Sequence, residues 1–479
     1  MPFVIGMLTL GFILETLTNY RPTGNEPMIA SVVIDSRLVK PGSLFIAFSG
    51  ENVDGHDFVP DAFKKGAVAA LVERPVAIDC LTVETDHLST DQDALDLTIP
   101  LCILVGSTLE ALQTLGKAWR DRFSDVRIVG ITGSVGKTTT KELTHAVLSR
   151  RYRTLKSEGN YNNEIGLPLT LLSLRPWHEK VVLEMGMYTT GEISLLCDIA
   201  RPHIGVVTII GTVHMEWLGS IEAIAAAKQE LVQALPPAPE GVAILNKDDN
   251  RVMAMAEHTQ ARILTYGLDE GADIRADKIV SMGLDGMYFR INFRQERLNV
   301  HVPLLGRHSV HTALRASAVG LAEGMKWDEI VAGLQSLTAQ LRLVAVPGPK
   351  GSIILDDTYN SSPESAVAAL NLLADLDGRR VAVLGDMLEL GPVEEASHRL
   401  VGRRAREVAQ LLMSVGPRGQ LIAEEAIAAG MPAENVFIVA DSDASVPVLE
   451  AIIESGDFVL IKGSRGVQMD RIVSALGRD

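Results

Sequence analysis

Val129-Gly130-Ile131-Thr132-Gly133-Ser134-Val135-Gly136-Lys137-Thr138-Thr139-Thr140 is the stretch whose reading decides the fold. An apolar run from Val126 to Ile131 feeds a Gly-rich turn, then Gly-Lys-Thr, then helix formers. That order is a strand, a phosphate cradle and a helix N-terminus. Backbone N–H groups and the helix dipole would hold phosphates, Lys137 would reach the β/γ oxygens, and Thr138 would ligate Mg²⁺. A chain with such a stretch spends a nucleoside triphosphate. The strict Walker spacing would need Gly at 131, where Ile131 stands, and the glycines fall at Gly130, Gly133 and Gly136 instead. A plain Gly-rich turn with one surface lysine is therefore the competing reading.

Working outward, 479 residues exceed one hydrophobic core and fit roughly two to four domains. Hydrophobic content of 47% with 22% charged residues excludes a disordered chain. A formal net charge of −16 argues against nucleic acid as a partner, while a local cradle can still hold a nucleotide. Cys80, Cys102 and Cys197 form no CxxC, which fits a reducing compartment and buried thiols. Met1 to Leu14 is apolar, yet it lacks a basic n-region and a small-residue cleavage site, and Glu15 interrupts it. It is expected to be the first strand and helix of a domain. No apolar run approaches the roughly 18 residues of a membrane span, so a cytoplasmic protein without membrane insertion is expected.

The expected fold is α/β in three domains. Residues 1–105 form a small α/β domain, with strands in Ala30–Asp35 and Ser43–Phe48 and a polar, acidic loop over Glu84 to Asp96. Residues 106–343 form a central domain entered by a helix from about Thr108 to Arg122. Its apolar strands, Lys180–Glu184, Ile204–Ile209 and Gly241–Asn246, predict a parallel sheet covered on both faces. Residues 344–479 form a Rossmann-like, doubly wound domain with strands at Ser352–Asp356, Arg380–Gly385, Leu411–Gly416, Val436–Ala440 and Phe458–Lys462. Val346-Pro347-Gly348-Pro349-Lys350-Gly351 is a candidate hinge. In such sheets ligands gather at the carboxyl ends of the strands.

The candidate chemistry follows those strand ends. Glu184 closes an apolar strand, where a carboxylate faces either Mg²⁺ or solvent. Gly159-Asn160-Tyr161-Asn162-Asn163 supplies uncharged donors and acceptors for an anionic ligand, or a capped turn. His214 follows a strand by a few residues and is either a metal ligand or structural. Lys228 lies in a helical pattern, where a lysine is ordinarily solvated. Asp356-Asp357-Thr358-Tyr359-Asn360 and Lys462-Gly463-Ser464-Arg465 follow strands and read either as ligand contacts or as turns.

Together these motifs resemble the Mur ligase family, which builds the peptide stem of peptidoglycan. The loop Thr132 to Thr139 reads like the family's, and Asn160 to Pro168, Glu184-Met185-Gly186, Asp356 to Asn360, Leu384 to Gly391 and Lys462 to Arg465 are similar too. So are Asp35-Ser36-Arg37, Pro41 to Phe45 and Asp54 to Phe58, from the domain that binds the UDP-sugar end of the substrate. The resemblance covers nearly the whole chain. It implies an ATP-dependent amide ligase, nearest to the branch that adds D-alanyl-D-alanine to UDP-N-acetylmuramoyl-tripeptide through an acyl phosphate. Its small-molecule substrates would be those two and ATP, with Mg²⁺ as cofactor, and the enzyme is expected to be a monomer.

The resemblance also implies roles. Gly133, Ser134, Val135, Gly136, Lys137, Thr138 and Thr139 would cradle ATP, with Asn162, Asn163, Arg307, His308, Arg342 and Asp357 as further nucleotide contacts. Thr138, Glu184, His214 and Lys228 would hold metal, Lys228 as a carbamate. Lys137, Lys228, Glu184, His214 and Arg342 would be the catalytic set. Ser36, Arg37, Asn160, Asn162, Tyr359, Asn360, Lys462, Ser464 and Arg465 would meet the substrates.

Two departures stand out. Gly306-Arg307-His308-Ser309-Val310-His311-Thr312 carries Ser309 and Thr312 where the family commonly has two Asn on the adenine side. Leu341 precedes Arg342 where Gly is usual. The alternatives are an amide ligase with another acceptor, such as a folylpolyglutamate synthase, a degenerate nucleotide-binding scaffold, or a motor or transport ATPase. The first two lack support from the N-terminal motifs and the intact lysine, glutamate and histidine set. The third leaves the amide-rich loop unexplained.

Overall fold

The computed structural model describes residues 7–50, 53–85, 97, 100–336 and 343–477. Three sheets carry the chain. The first contains β1 (Ser31–Val33), β2 (Ser43–Ile46), β3 (Ala69–Val72), β4 (Leu81–Glu84) and β5 (Leu101–Leu104), in the order β1-β2-β3-β5-β4. All its pairings are parallel.

The second contains β6 (Arg127–Thr132), β7 (Thr154–Lys156), β8 (Lys180–Glu184), β9 (Ile204–Val207), β10 (Val242–Asn246), β11 (Arg262–Gly267), β12 (Ile274–Ser281), β13 (Met287–Phe293) and β14 (Glu296–Val302). Its order is β14-β13-β12-β11-β10-β9-β6-β8-β7. The third contains β15 (Val344–Pro347), β16 (Ile353–Asp357), β17 (Arg380–Gly385), β18 (Leu411–Val415), β19 (Val436–Val439) and β20 (Phe458–Lys462), in the order β15-β16-β20-β17-β18-β19. The α/β expectation holds.

By their contacts the residues fall into two compact units, one of 1–130, 152–186 and 192–202, the other of 131–151, 187–191 and 203–479. In the first unit, Phe45, Ala70, Val72 and Cys102 build a core beside β2, β3 and β5. The helix Thr108–Asp121 is capped by Ser107, whose hydroxyl accepts from Glu110 N–H, and it buries Ala111, Leu112, Leu115 and Trp119 on one face. Gly116 lets that helix close on Pro168, because a Cβ there would meet Pro168 Cβ at 2.8 Å. The apolar N-terminal segment forms the helix Leu10–Leu17, and its Phe12 ring meets Trp119 edge-on at 4.9 Å. Cys80 and Cys102 are free thiols with sulfurs 3.1 Å apart. The acidic stretch from Asp86 to Asp96 lies outside the described residues.

In the second unit, two sequence expectations need correction. The central sheet does not stay parallel: β12, β13 and β14 form an antiparallel meander. The reason is visible in Met287-Tyr288-Phe289-Arg290-Ile291, which alternates buried and outward residues at the period of a one-faced antiparallel strand. The segment Val346–Gly351 is not a hinge either. Val346 and Pro347 belong to β15, which pairs antiparallel with β16, and Lys350, at φ +56, bonds the Glu450 and Ile453 carbonyls. Backbone pairing on both sides of a tight turn leaves no free joint. Around the third sheet, Leu370, Leu373, Leu384 and Val401 build one buried cluster, and Val383, Leu449, Ile461 and Ile472 another, as a doubly wound domain requires. Among the described residues no helix is long and apolar enough to cross a membrane.

Candidate functional site

The loop after β6 is shaped by two glycines. Gly133 adopts φ +140, and a Cβ there would lie 1.8 Å from Thr208 Oγ1. Gly136, at φ +84, caps the helix Lys137–Leu148 without a side-chain acceptor, and no acidic residue occupies the first turn. The positive end of its dipole therefore meets no acidic side chain of its own first turn. The loop is tied down from behind. Ser134 N–H donates to Ile209 O at 2.8 Å, Ser134 Oγ accepts from Gly211 N at 2.9 Å, and Thr208 Oγ1 donates to Val135 O at 2.7 Å. Lys137 Nζ folds over the loop onto Gly133 O at 2.6 Å. Gly133→Ala is expected to abolish ADP binding by calorimetry, since the Cβ has no room and the backbone angle disfavours any L side chain.

Lys228 sits on the helix Ile221–Gln233 and is 1% exposed. The sequence-level default of a solvated lysine is thereby excluded. Burial first, and the Lys137 charge second, push its amine well below the usual lysine range. Among the described residues no carboxylate pairs with it. His214, at φ +70, follows β9, and burial lowers its imidazole from the usual value, opposed by Glu389. Its Nδ1 faces Glu389 Oε2 at 2.9 Å, and the Tyr188 ring stands edge-on at 5.2 Å. Glu389 is itself at φ +64, and its carbonyl accepts from Glu216 N. Glu364 Oε1 accepts from Thr212 N at 3.0 Å, so two acids from residues 344–479 grip the turn that carries His214.

Arg315 lies on the helix His308–Ala322 and is 5% exposed. Its Nη2 donates to Thr312 Oγ1 at 2.9 Å and its Nε to His311 O at 3.1 Å. Ser309 Oγ donates to Leu304 O and Gly306 O. The hydroxyls that replace the family's two amides thus serve the protein itself. Arg307 and His308 are exposed at the start of this helix. At the ends of β16 and β20, Lys462 is buried, paired with Asp357 at 2.7 Å and donating to Asn360 O at 2.8 Å. Ser464 is buried and links Leu388 N to Ser361 O, whereas Tyr359 and Arg465 are exposed.

In the first unit, Glu184 is 1% exposed at the end of β8 and accepts from Asn162 Nδ2 at 2.9 Å. Asn163 Oδ1 accepts from Gly166 N at the start of the helix Gly166–Leu172, while Asn160 is exposed. Arg37 extends into solvent, paired with Asp35, whose carboxyl it lowers to about 2, and Ser36 O accepts from Lys65. Arg342 lies outside the described residues.

Three family models match the chain: the Mur ligase family catalytic domain over residues 28–120, the Mur ligase middle domain over 131–320, and the glutamate ligase domain of Mur ligases over 341–465. A UDP-N-acetylmuramoyl-tripeptide–D-alanyl-D-alanine ligase of Synechocystis sp. is 37% identical over 97% of this chain and 96% of its own. The chain belongs to the Mur ligase family.

Solved relatives agree with that membership. A MurF crystal structure from Acinetobacter baumannii superposes with a TM-score of 0.83 at 29% identity, covering 98% of both chains. MurF from Thermotoga maritima in complex with ADP gives 0.76 at 27% identity, covering 93% of this chain and 97% of its own. Two residues of this Mur ligase escaped the sequence reading. Glu389 was legible only as part of Leu384–Gly391, and Arg315 had no local signal beyond the departures three and six positions before it. Because Glu389 orients an imidazole, Glu389→Ala is expected to lower kcat about 10- to 100-fold with little change in the KM for ATP, as steady-state kinetics would show.

Proposed function

We propose that this Mur ligase joins D-alanyl-D-alanine to UDP-N-acetylmuramoyl-tripeptide at the expense of ATP, giving the pentapeptide precursor of peptidoglycan. The observation that carries the reading is likeness along the whole chain: relatives bearing that activity in their names are 33–37% identical over 94–97% of it. A likeness confined to the phosphate loop would have supported an ATPase alone.

A carboxylate is a poor electrophile because its charge repels nucleophiles and oxide does not leave. One carboxylate oxygen attacks the γ-phosphorus of ATP, the bond to ADP breaks, and an acyl phosphate forms. The dipeptide amine adds to the acyl carbon and loses a proton, and phosphate leaves from the tetrahedral intermediate. The enzyme's part is alignment and charge neutralisation. Lys137 and the first N–H groups of its helix face the transferring phosphoryl group. Arg342 keeps the phosphate role that the resemblance assigns, and Asp357, Tyr359 and Asn360 keep the nucleotide and dipeptide contacts.

Among the described residues no three His, Cys, Asp or Glu side chains cluster as a protein-only metal cage. That donor set fits Mg²⁺, which is commonly held by one or two protein oxygens with substrate phosphates and water. Thr138, His214 and Lys228 would hold it in the second unit, and Glu184 keeps the ligand role of the resemblance. When bound, the ion supplies positive charge to the phosphoryl oxygens. His214 presents a neutral imidazole to it, and Lys228 a carbamate formed from its neutral amine and carbon dioxide with release of a proton.

Domain boundaries near 105 and 343 belong to the same reading and are supported by the separate sheets on either side. So do work as a monomer, with every assigned residue in one chain, and a place in the cytoplasm, where ATP and nucleotide-activated sugars are made. The test is isotope transfer. With heavy oxygen in the tripeptide carboxylate, one labelled oxygen is expected in the released phosphate. Label retained entirely in the peptide would exclude the acyl phosphate.

A further inference from the structure

Two thiols face each other in the first unit, away from any residue assigned to the reaction. Cys80 immediately precedes β4 and is half-buried, while Cys102 lies within β5 and is 2% exposed. Their sulfurs are 3.1 Å apart, and both are free thiols. A disulfide holds its sulfurs at about 2.0 Å, so roughly 1 Å of closer approach separates this pair from a bond. Cys102 belongs to the buried cluster with Phe45, Ala70 and Val72, and Cys80 packs on the rim of that cluster with Val76.

A cysteine in a core is ordinarily a small apolar filler. Cys197 fits that description, 3% exposed with its sulfur 3.9 Å from Met185 Sδ. Cys80 and Cys102 do not. Filling a core does not require two sulfurs from segments 22 residues apart to point at one another, with one of them reached by solvent. Burial, with the Cys80 contact second, pushes the Cys102 thiol up from its usual range. The two positions therefore differ in the way that a reacting and a resolving cysteine differ.

We propose that Cys80 and Cys102 are a redox-responsive pair that closes to a reversible disulfide when the folded enzyme meets a hydroperoxide. The Cys80 thiolate attacks one oxygen of hydrogen peroxide, the O–O bond breaks, and the departing hydroxide takes the proton that the thiol gave up. Cys80 is then a sulfenic acid. The Cys102 sulfur attacks the Cys80 sulfur, the S–S bond forms, the S–O bond breaks, and the oxygen leaves as hydroxide with the Cys102 proton. Two thiols have lost two electrons, and one peroxide has become two waters. Because β4 is an edge strand paired with β5, the bond staples that edge to the sheet and stops Cys80 short of irreversible oxidation.

The test treats full-length enzyme with hydrogen peroxide while circular dichroism follows the native signal. The sample is then quenched in acid, unfolded, alkylated with iodoacetamide and weighed. Of the three cysteines, all are expected to be alkylated in the untreated enzyme and only Cys197 after peroxide, with a linked Cys80–Cys102 peptide in the digest and full alkylation restored by dithiothreitol. The apo melting temperature should rise by several degrees on oxidation and fall back on reduction. Cys80→Ser should abolish both changes, and Cys102→Ser should let Cys80 proceed to the sulfinic acid. Should Cys102→Ser fail to fold, the wild type and Cys80→Ser decide alone. Three alkylated cysteines after peroxide, sulfinic acid on Cys80 of the wild type, a covalent dimer through Cys80, or a linkage that appears only after the native signal is lost would each overturn the proposal.

Discussion

Lys137→Met is expected to lower turnover about 10³-fold, roughly 4 kcal/mol of transition-state stabilisation, with the melting temperature close to wild type. The kinetic loss follows from position. Lys137 opens the helix that follows the cradle, and its ammonium reaches over the loop onto Gly133 O and Ser134 O. Those carbonyls border solvent-accessible loop residues, so their loss as partners costs little stability, whereas charge developing on the phosphoryl oxygens loses its nearest mobile cation. The same substitution reaches Lys228, because the Lys137 charge adds to burial in lowering that amine from the usual lysine range. Lys137→Met and Lys228→Met are therefore expected to be less than additive in single-turnover kinetics. Full additivity would separate the two lysines functionally.

Lys228→Met should cost about as much, again near 10³-fold, but with a signature of its own. A buried amine held well below the usual lysine range is a nucleophile toward carbon dioxide, and the product carbamate, formed with release of a proton, places an anion there. Wild-type enzyme stripped of carbon dioxide is expected to lose activity and regain it with bicarbonate. Lys228→Met should ignore bicarbonate throughout, and its melting temperature should hold or rise, since an unpaired buried amine is replaced by an apolar chain of similar length. Bicarbonate-independent wild-type activity would remove the carbamate from the account, leaving Lys228 as a buried amine.

Most of the fold was legible because its strands are short apolar runs ended by polar residues. Lys180–Glu184, Arg380–Gly385 and Phe458–Lys462 are strands over the residues expected. The meander after β11 is less legible because its alternation, as in Tyr288 against Phe289, carries weaker hydrophobicity than a fully buried strand. Val346–Gly351 looked like a joint because Pro and Gly mark turns without saying whether the flanking backbone is paired.

The site divides the same way. The phosphate loop is local, so its residues declare it. Lys228 declares nothing locally, since an Ala-rich helical pattern predicts a solvated lysine, and only the packed chain buries it. The pairing of His214 with Glu389, and the burial of Arg315 beside Gly136, are contacts between distant segments that no spacing rule reaches. Lys462 shows the converse: a turn-like Lys-Gly-Ser-Arg suggested an open contact, yet packing sets its ammonium against Asp357.

The most direct measurement is phosphate release from ATP and Mg²⁺ with UDP-N-acetylmuramoyl-tripeptide, in the presence and absence of D-alanyl-D-alanine, with the product weighed by mass spectrometry. The account predicts release that requires both substrates, one phosphate for each pentapeptide formed. Release that proceeds equally without the dipeptide, or with no pentapeptide formed, would contradict it.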